Sequence, residues 1–166
     1  MKSKGIDWLE NKVPGFAKLS TEEKVEIQDF AMLWSFFESR KLKMNASIPE
    51  IRNYVKKLSQ SGVFENFNFT SCLNHFKSRY FLDGQYTRHY FDLRLEKSGS
   101  PDEVEQMLVN LEASQETKLI ACLAIIFRYR NNLFHGEKWQ YYIQDQFKNF
   151  AHSNELLISL MDFDDF

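Results

Sequence analysis

The stretch QETKLIACLAIIFRYRNNLF, Gln115 to Phe134, followed at once by His135-Gly136, decides the fold. Leu119, Leu123, Ile126 and Phe127 recur at three- and four-residue spacing, the repeat of one face of an α-helix. The longest apolar run in the chain, Leu119 to Phe127, is nine residues, far short of the roughly 20 that a membrane-spanning helix needs. The stretch therefore reads as a core helix. Gly136 suits the left-handed turn that closes many helices.

Working outward, Ser20-Thr21-Glu22-Glu23 is a capping box that starts a helix running to about Lys43. Ile27, Phe30, Ala31, Trp34 and Phe37 form its stripe. A shorter helix, Ile6 to Asn11, precedes it and ends near Pro14-Gly15. Ser47-Ile48-Pro49-Glu50 is a second capping box; its helix buries Ile51, Tyr54, Val55 and Leu58 and stops near Ser61-Gly62. Residues 62–69 read as an aromatic-anchored loop. A helix from Thr70 to Leu82 aligns Leu73, Phe76 and Tyr80, breaks at Asp83-Gly84, and is followed by another to about Leu95. Glu96 to Ser100 reads as a loop. Ser100-Pro101-Asp102-Glu103 opens a helix with Val104, Met107, Leu108 and Leu111 as its stripe and proline in the first helical position. The last helix is expected from Trp139 to Met161, carrying Trp139, Ile143, Phe147, Phe150, Leu157 and Met161, with a frayed acidic tail from Asp162 to Phe166. The expectation is an all-α bundle of six to seven helices with no sheet, a single domain over residues 1–166.

Composition agrees. With 6 Gly and 3 Pro the chain lacks the turn residues that a sandwich or barrel consumes. Apolar residues make up 43% and aromatic residues 16%, ample for a core and incompatible with wholesale disorder. A net charge of -2 and a pI near 6.1 exclude a global positive field, so any nucleic-acid site must be a local patch, one that oligomerisation would build. Cys72 and Cys122 have no metal-ligand spacing and read as packing residues of a reducing compartment. No metal site or cofactor is expected. Met1 to Glu10 holds no apolar core of a signal peptide, and the expected location is cytoplasmic, away from membranes.

The chemistry concentrates at the end of the central helix. Extending its apolar stripe places Arg130 on the buried face, where a guanidinium is costly unless it meets a carboxylate or phosphate. Arg128, Asn131 and His135 share the adjacent face, in the last turns, where free carbonyls favour cations. Taken alone, these residues also fit an ordinary helix end. Glu38 lies four residues after Trp34 at the edge of its stripe, placed to pair with Arg130 or Arg128 across the bundle, to tune His135, or to face Lys41 or Leu42 on the surface. The segment Lys77 to Lys97 interleaves Lys77, Arg79, Arg88, His89 and Arg94 with Tyr80, Tyr86 and Tyr90. It fits a single-strand-binding track or an amphipathic helix pair, and the diluting Asp83, Asp92 and Glu96 favour the pair.

Tyr129-Arg130-Asn131-Asn132-Leu133-Phe134-His135-Gly136, after a strongly apolar helix, resembles the signature of the HEPN superfamily, an arginine with a polar neighbour and a histidine a few residues on; here four residues intervene. Phe30 to Glu38 resembles the aromatic-rich early helix of such domains. The resemblance implies a helical bundle, usually a homodimer, and in many members a metal-independent endoribonuclease acting as a toxin or defence nuclease. It implies that His135 moves protons as a 2′-hydroxyl attacks the adjacent phosphate, that Arg130 holds that phosphate, and that Asn131 orients either partner. RNA and an antitoxin such as a minimal nucleotidyltransferase are the partners it implies. The alternative is a non-catalytic module that binds nucleotide, RNA or a protein through Arg130.

Overall fold

The computed structural model describes residues 3–135 and 143–163. Among them run eight α-helices: α1 Lys4–Lys12, α2 Thr21–Lys41, α3 Ile48–Gln60, α4 Thr70–Tyr80, α5 Arg88–Asp92, α6 Asp102–Val109, α7 Gln115–Phe134 and α8 Phe147–Phe163. Short 3-10 turns occupy Phe16–Lys18, Val63–Glu65 and Leu95–Ser98. The class is all-α. No helix of the described residues is long and apolar enough to cross a membrane.

Among the described residues the only strands form a small hairpin, β1 Phe81–Leu82 and β2 Gln85–Tyr86, with Phe81 opposite Tyr86. Asp83 and Gly84 both take positive φ, 51° and 76°, the requirement of a type I′ turn. Asp-Gly thus reverses the chain, where the sequence reading expected only a break between two helices and no sheet at all.

Caps start the helices where the sequence places them. Ser20 Oγ accepts from the Glu23 amide at 3.1 Å and the Glu23 carboxylate accepts from the Ser20 amide at 2.7 Å, a box contributing about 1 kcal/mol. At α3 only the serine half forms, with Ser47 Oγ accepting from the Glu50 amide; the Glu50 carboxylate lies 3.5 Å from Lys43 instead. Pro101 caps α6 from outside rather than opening it.

Helix α7 is the axis of the core. Every residue from Leu119 to Tyr129 is buried, so the helix is enclosed on all sides rather than amphipathic. It packs against α3, α4 and α6, while α2 packs on α8 and α8 on α4. Aromatic rings join these layers: Trp34 of α2 stacks on Phe127 of α7 at 5.9 Å, Phe37 meets Tyr54 of α3 edge-on at 5.4 Å, and Phe30 leans on Phe150 of α8 at 4.9 Å. Cys72 and Cys122 are buried and free; their mutual hydrogen bond and burial push the Cys72 thiol well up.

Three expectations shift. Leu111 lies beyond the end of α6 and is 80% exposed, so it is not part of that helix's stripe. Among the described residues α8 begins at Phe147, not near Trp139, and it buries polar Asn149, Ser153 and Asn154 beside its leucines. Leu95 to Ser98 is a 3-10 turn that takes over part of the expected 96–100 loop. Trp139, Gly136 and the end of the acidic tail lie outside the described residues.

The α4–α8 seam contains a histidine pair. His75 Nε2 donates to Asn149 Oδ1 at 2.7 Å, and its ring stacks on His152 at 4.6 Å. Burial holds the His75 imidazole below its usual range, the Asn149 bond opposes that, and His152, Arg79 and Lys148 add to the lowering. A histidine with a depressed pKa stays neutral in the fold and takes up a proton more readily once unfolded. Its contribution is therefore fully present above the unfolded value of 6.5 and is lost as pH falls below it. Thermal melting from pH 8 down to pH 5 should show a falling midpoint below about pH 6.5, and His75→Gln should flatten that slope.

Candidate active site

The last turns of α7 emerge from the core at Arg130. Its side chain is 28% exposed. Nη1 donates to Asn131 Oδ1 at 3.0 Å, Nη2 stands 3.7 Å from Glu38 Oε2, and the guanidinium lies 5.6 Å from the Phe134 ring centroid. Nε is shut off from solvent with no hydrogen-bond partner, a state that costs about 1–3 kcal/mol.

Glu38 belongs to this cluster. Its Oε2 accepts from Trp34 Nε1 at 2.9 Å and its Oε1 from the Ala46 amide at 3.0 Å. The carboxylate is thus held by α2 and by the turn that leads to α3, and it faces Arg130 at ion-pair range. Because the Trp34 ring also stacks on Phe127, one continuous set of contacts runs Phe127, Trp34, Glu38, Arg130. The ring nitrogen of Trp34 is the residue that sequence reasoning missed here; its spacing of four from Glu38 was the available signal.

His135 caps α7. Its amide donates to Asn131 O at 3.0 Å and its side chain is exposed. Asn131 therefore serves both neighbours, its side chain fixing Arg130 and its carbonyl fixing the backbone of His135. The sequence reading assigned it to His135 or a phosphate; the geometry assigns its amide oxygen to Arg130.

Arg128 does not join the cluster. It is 3% exposed, and its guanidinium donates from Nε to Leu93 O at 2.9 Å, from Nη1 to Ser98 Oγ at 3.0 Å and from Nη2 to Asn132 Oδ1 at 3.2 Å. It is a strut that ties α7 to the turn after α5, and burial lowers its pKa. Face counting failed for it because α7 has no open face at that depth. The basic and aromatic segment also divides: Tyr80 is core, Tyr86 and Tyr90 stack on each other at 4.3 Å, and Arg79 lies 3.7 Å from Asp145.

Among the described residues no three His, Cys, Asp or Glu side chains group as metal ligands. No protein-family model, curated protein or solved structure matches the chain.

The two arginines should respond oppositely to removal. Arg128→Met loses three charge-assisted bonds, one of them fully buried, and should cost roughly 2–3 kcal/mol in urea unfolding. Arg130→Met, at a half-open position, should stay within about 1 kcal/mol of the parent. Equal losses would show that Arg130 is as structural as Arg128.

Proposed function

We propose that this chain is a metal-independent endoribonuclease of the HEPN type, working as a toxin or defence nuclease. The observation that carries the reading is Arg130: a guanidinium fixed by Asn131 and Glu38, yet partly exposed, two helical turns or less from the exposed imidazole of His135. A forked cation suits the non-bridging oxygens of a phosphate. An imidazole titrates near neutrality and can take a proton from a hydroxyl.

In this reading His135 accepts the proton of the RNA 2′-hydroxyl as that oxygen attacks the neighbouring phosphorus. The P–O5′ bond breaks, the leaving oxygen is protonated by an imidazole or water, and Arg130 stabilises the charge on the phosphoryl oxygens. Glu38 acts as a positioning residue through Arg130. The products are a 2′,3′-cyclic phosphate and a free 5′-hydroxyl.

A second reading has one observation in its favour. Asn131 and Glu38 already engage two faces of the Arg130 guanidinium, as they would in a non-catalytic module that presents the arginine to nucleotide, RNA or a protein partner.

Incubation with total RNA in EDTA should give cleavage with cyclic phosphate ends. His135→Ala and Arg130→Ala should each lower the rate by about 100- to 10,000-fold with the fold retained. Full activity in His135→Ala, or a requirement for added Mg²⁺, would favour the second reading.

The net charge of -2 gives a single copy little pull on a polyanion. A two-fold dimer that faces the two 130–135 segments would double the local cation density. Sedimentation should therefore show a dimer, and Arg130→Glu should dissociate it or abolish RNA binding. A monomer at high micromolar concentration would count against this assembly.

A further inference from the structure

A pocket of about 80 Å³ lies against the flank of α7 away from Arg130, several times the roughly 10–15 Å³ that one water needs. Tyr129, Asn132 and Leu133 of α7 form one wall, so the pocket shares the segment that carries Arg130 and His135. At about 100° per residue, Arg130, Asn131 and His135 fall on one side of the helix and the pocket residues on the other. A strand passing the end of α7 would touch both.

The lining has two characters. Leu93, Leu133 and Phe150 are apolar, and Tyr80 and Tyr129 bond to each other through their hydroxyls at the buried side. The polar edge holds two basic side chains, Arg79 and His89, a carboxylate, Asp92, and side-chain amides. Asn149 accepts from His75 and donates to Gln146 Oε1 at 2.7 Å, which orients the Gln146 amide before any ligand arrives. Arg79 is 13% exposed, and its Nε is buried without a partner. Asp145 meets only the outer nitrogens, with Nη1 at 3.7 Å from Oδ2 and Nη2 at 3.5 Å from the carbonyl.

This combination selects against a simple anion. The charge of Arg79 is offset by Asp92 in the pocket and by Asp145 outside it, and the walls are apolar. It favours a neutral planar ring with donors and acceptors on its edge, the usual content of such pockets being apolar walls and a few fixed polar groups. We infer that the pocket binds a nucleobase, with guanine the best match. Guanine offers O6 and N7 acceptors to a guanidinium and N–H donors to a carboxylate. The base has two sources, a nucleotide unstacked from an RNA strand near the cut or a free nucleotide. The RNA source rests on the ribonuclease reading; the pocket itself does not.

The probes are guanosine, adenosine, cytidine and uridine, with ribose 5-phosphate as the base-free control, titrated into the full chain by calorimetry or amide chemical shifts. Guanosine should bind, ribose 5-phosphate should not. Arg79→Gln should weaken guanosine by at least about tenfold, the loss of one buried charge-assisted bond. Asp92→Asn, a near-isosteric change that keeps the pocket's shape, should erase the preference for guanosine over adenosine. Binding of ribose 5-phosphate as tight as that of guanosine would overturn the proposal, as would no nucleoside binding at millimolar concentration or an unchanged ranking in Asp92→Asn. The source is decided by sequencing RNA ends: a guanine preference at a fixed position from the cut, lost in Asp92→Asn, assigns the strand. Nucleoside binding with no such preference assigns a free nucleotide. If RNA is never cut, the ribonuclease reading fails and the nucleoside titrations still decide the pocket.

Discussion

The enclosure of α7 is the constraint on which the rest depends. A helix sealed from Leu119 to Tyr129 cannot shed a charge to solvent within that span, so Arg128 must find its partners inside. It finds them in Leu93, Ser98 and Asn132, and in doing so fixes the turn after α5. One half-turn later the helix leaves the core. Arg130 is thus the first cation beyond the sealed span with access to the outside, and its chemistry follows from its depth as much as from its type.

The approach of α2 determines what Arg130 meets there. Trp34 contributes its face to Phe127 and its ring N–H to Glu38, so an apolar contact and a polar contact share one side chain. Such bifunctional use suits tryptophan, which buries a large surface while keeping one donor. The carboxylate that faces Arg130 is therefore oriented by core packing rather than by the arginine. Glu38 is held in place by two bonds that do not involve Arg130.

Much of this was legible in the chain itself. The bounds of α7, the Ser20 box and the α2 and α3 stripes follow from period and cap chemistry, which are local. The segment that holds Arg130, Asn131 and His135 was legible as a motif, and the pairing of Glu38 with Arg130 as one of the alternatives. What escaped depends on contacts distant in sequence or on backbone that propensity does not encode. Arg128 looked like a neighbour of Asn131 because a helical wheel has no depth. The hairpin at Asp83-Gly84 was read as a break because two-residue strands carry no period to detect. The buried Asn149 and Asn154 of α8 were invisible because they have partners on α4 and α2: Asn154 Nδ2 donates to Glu26, 128 residues earlier, and Asn149 answers His75.

That 128-residue separation between Glu26 and Asn154 also bears on synthesis. The inner face of α2, with Phe30 awaiting the ring of Phe150, emerges from the ribosome long before the helix that covers it. Through that interval the nascent chain displays aromatic surface that has no native partner yet. Loop closure of that length also makes α2–α8 docking a late and slow step of folding. The bundle is then completed by its last described helix, and the seam that carries the histidine pair closes with it.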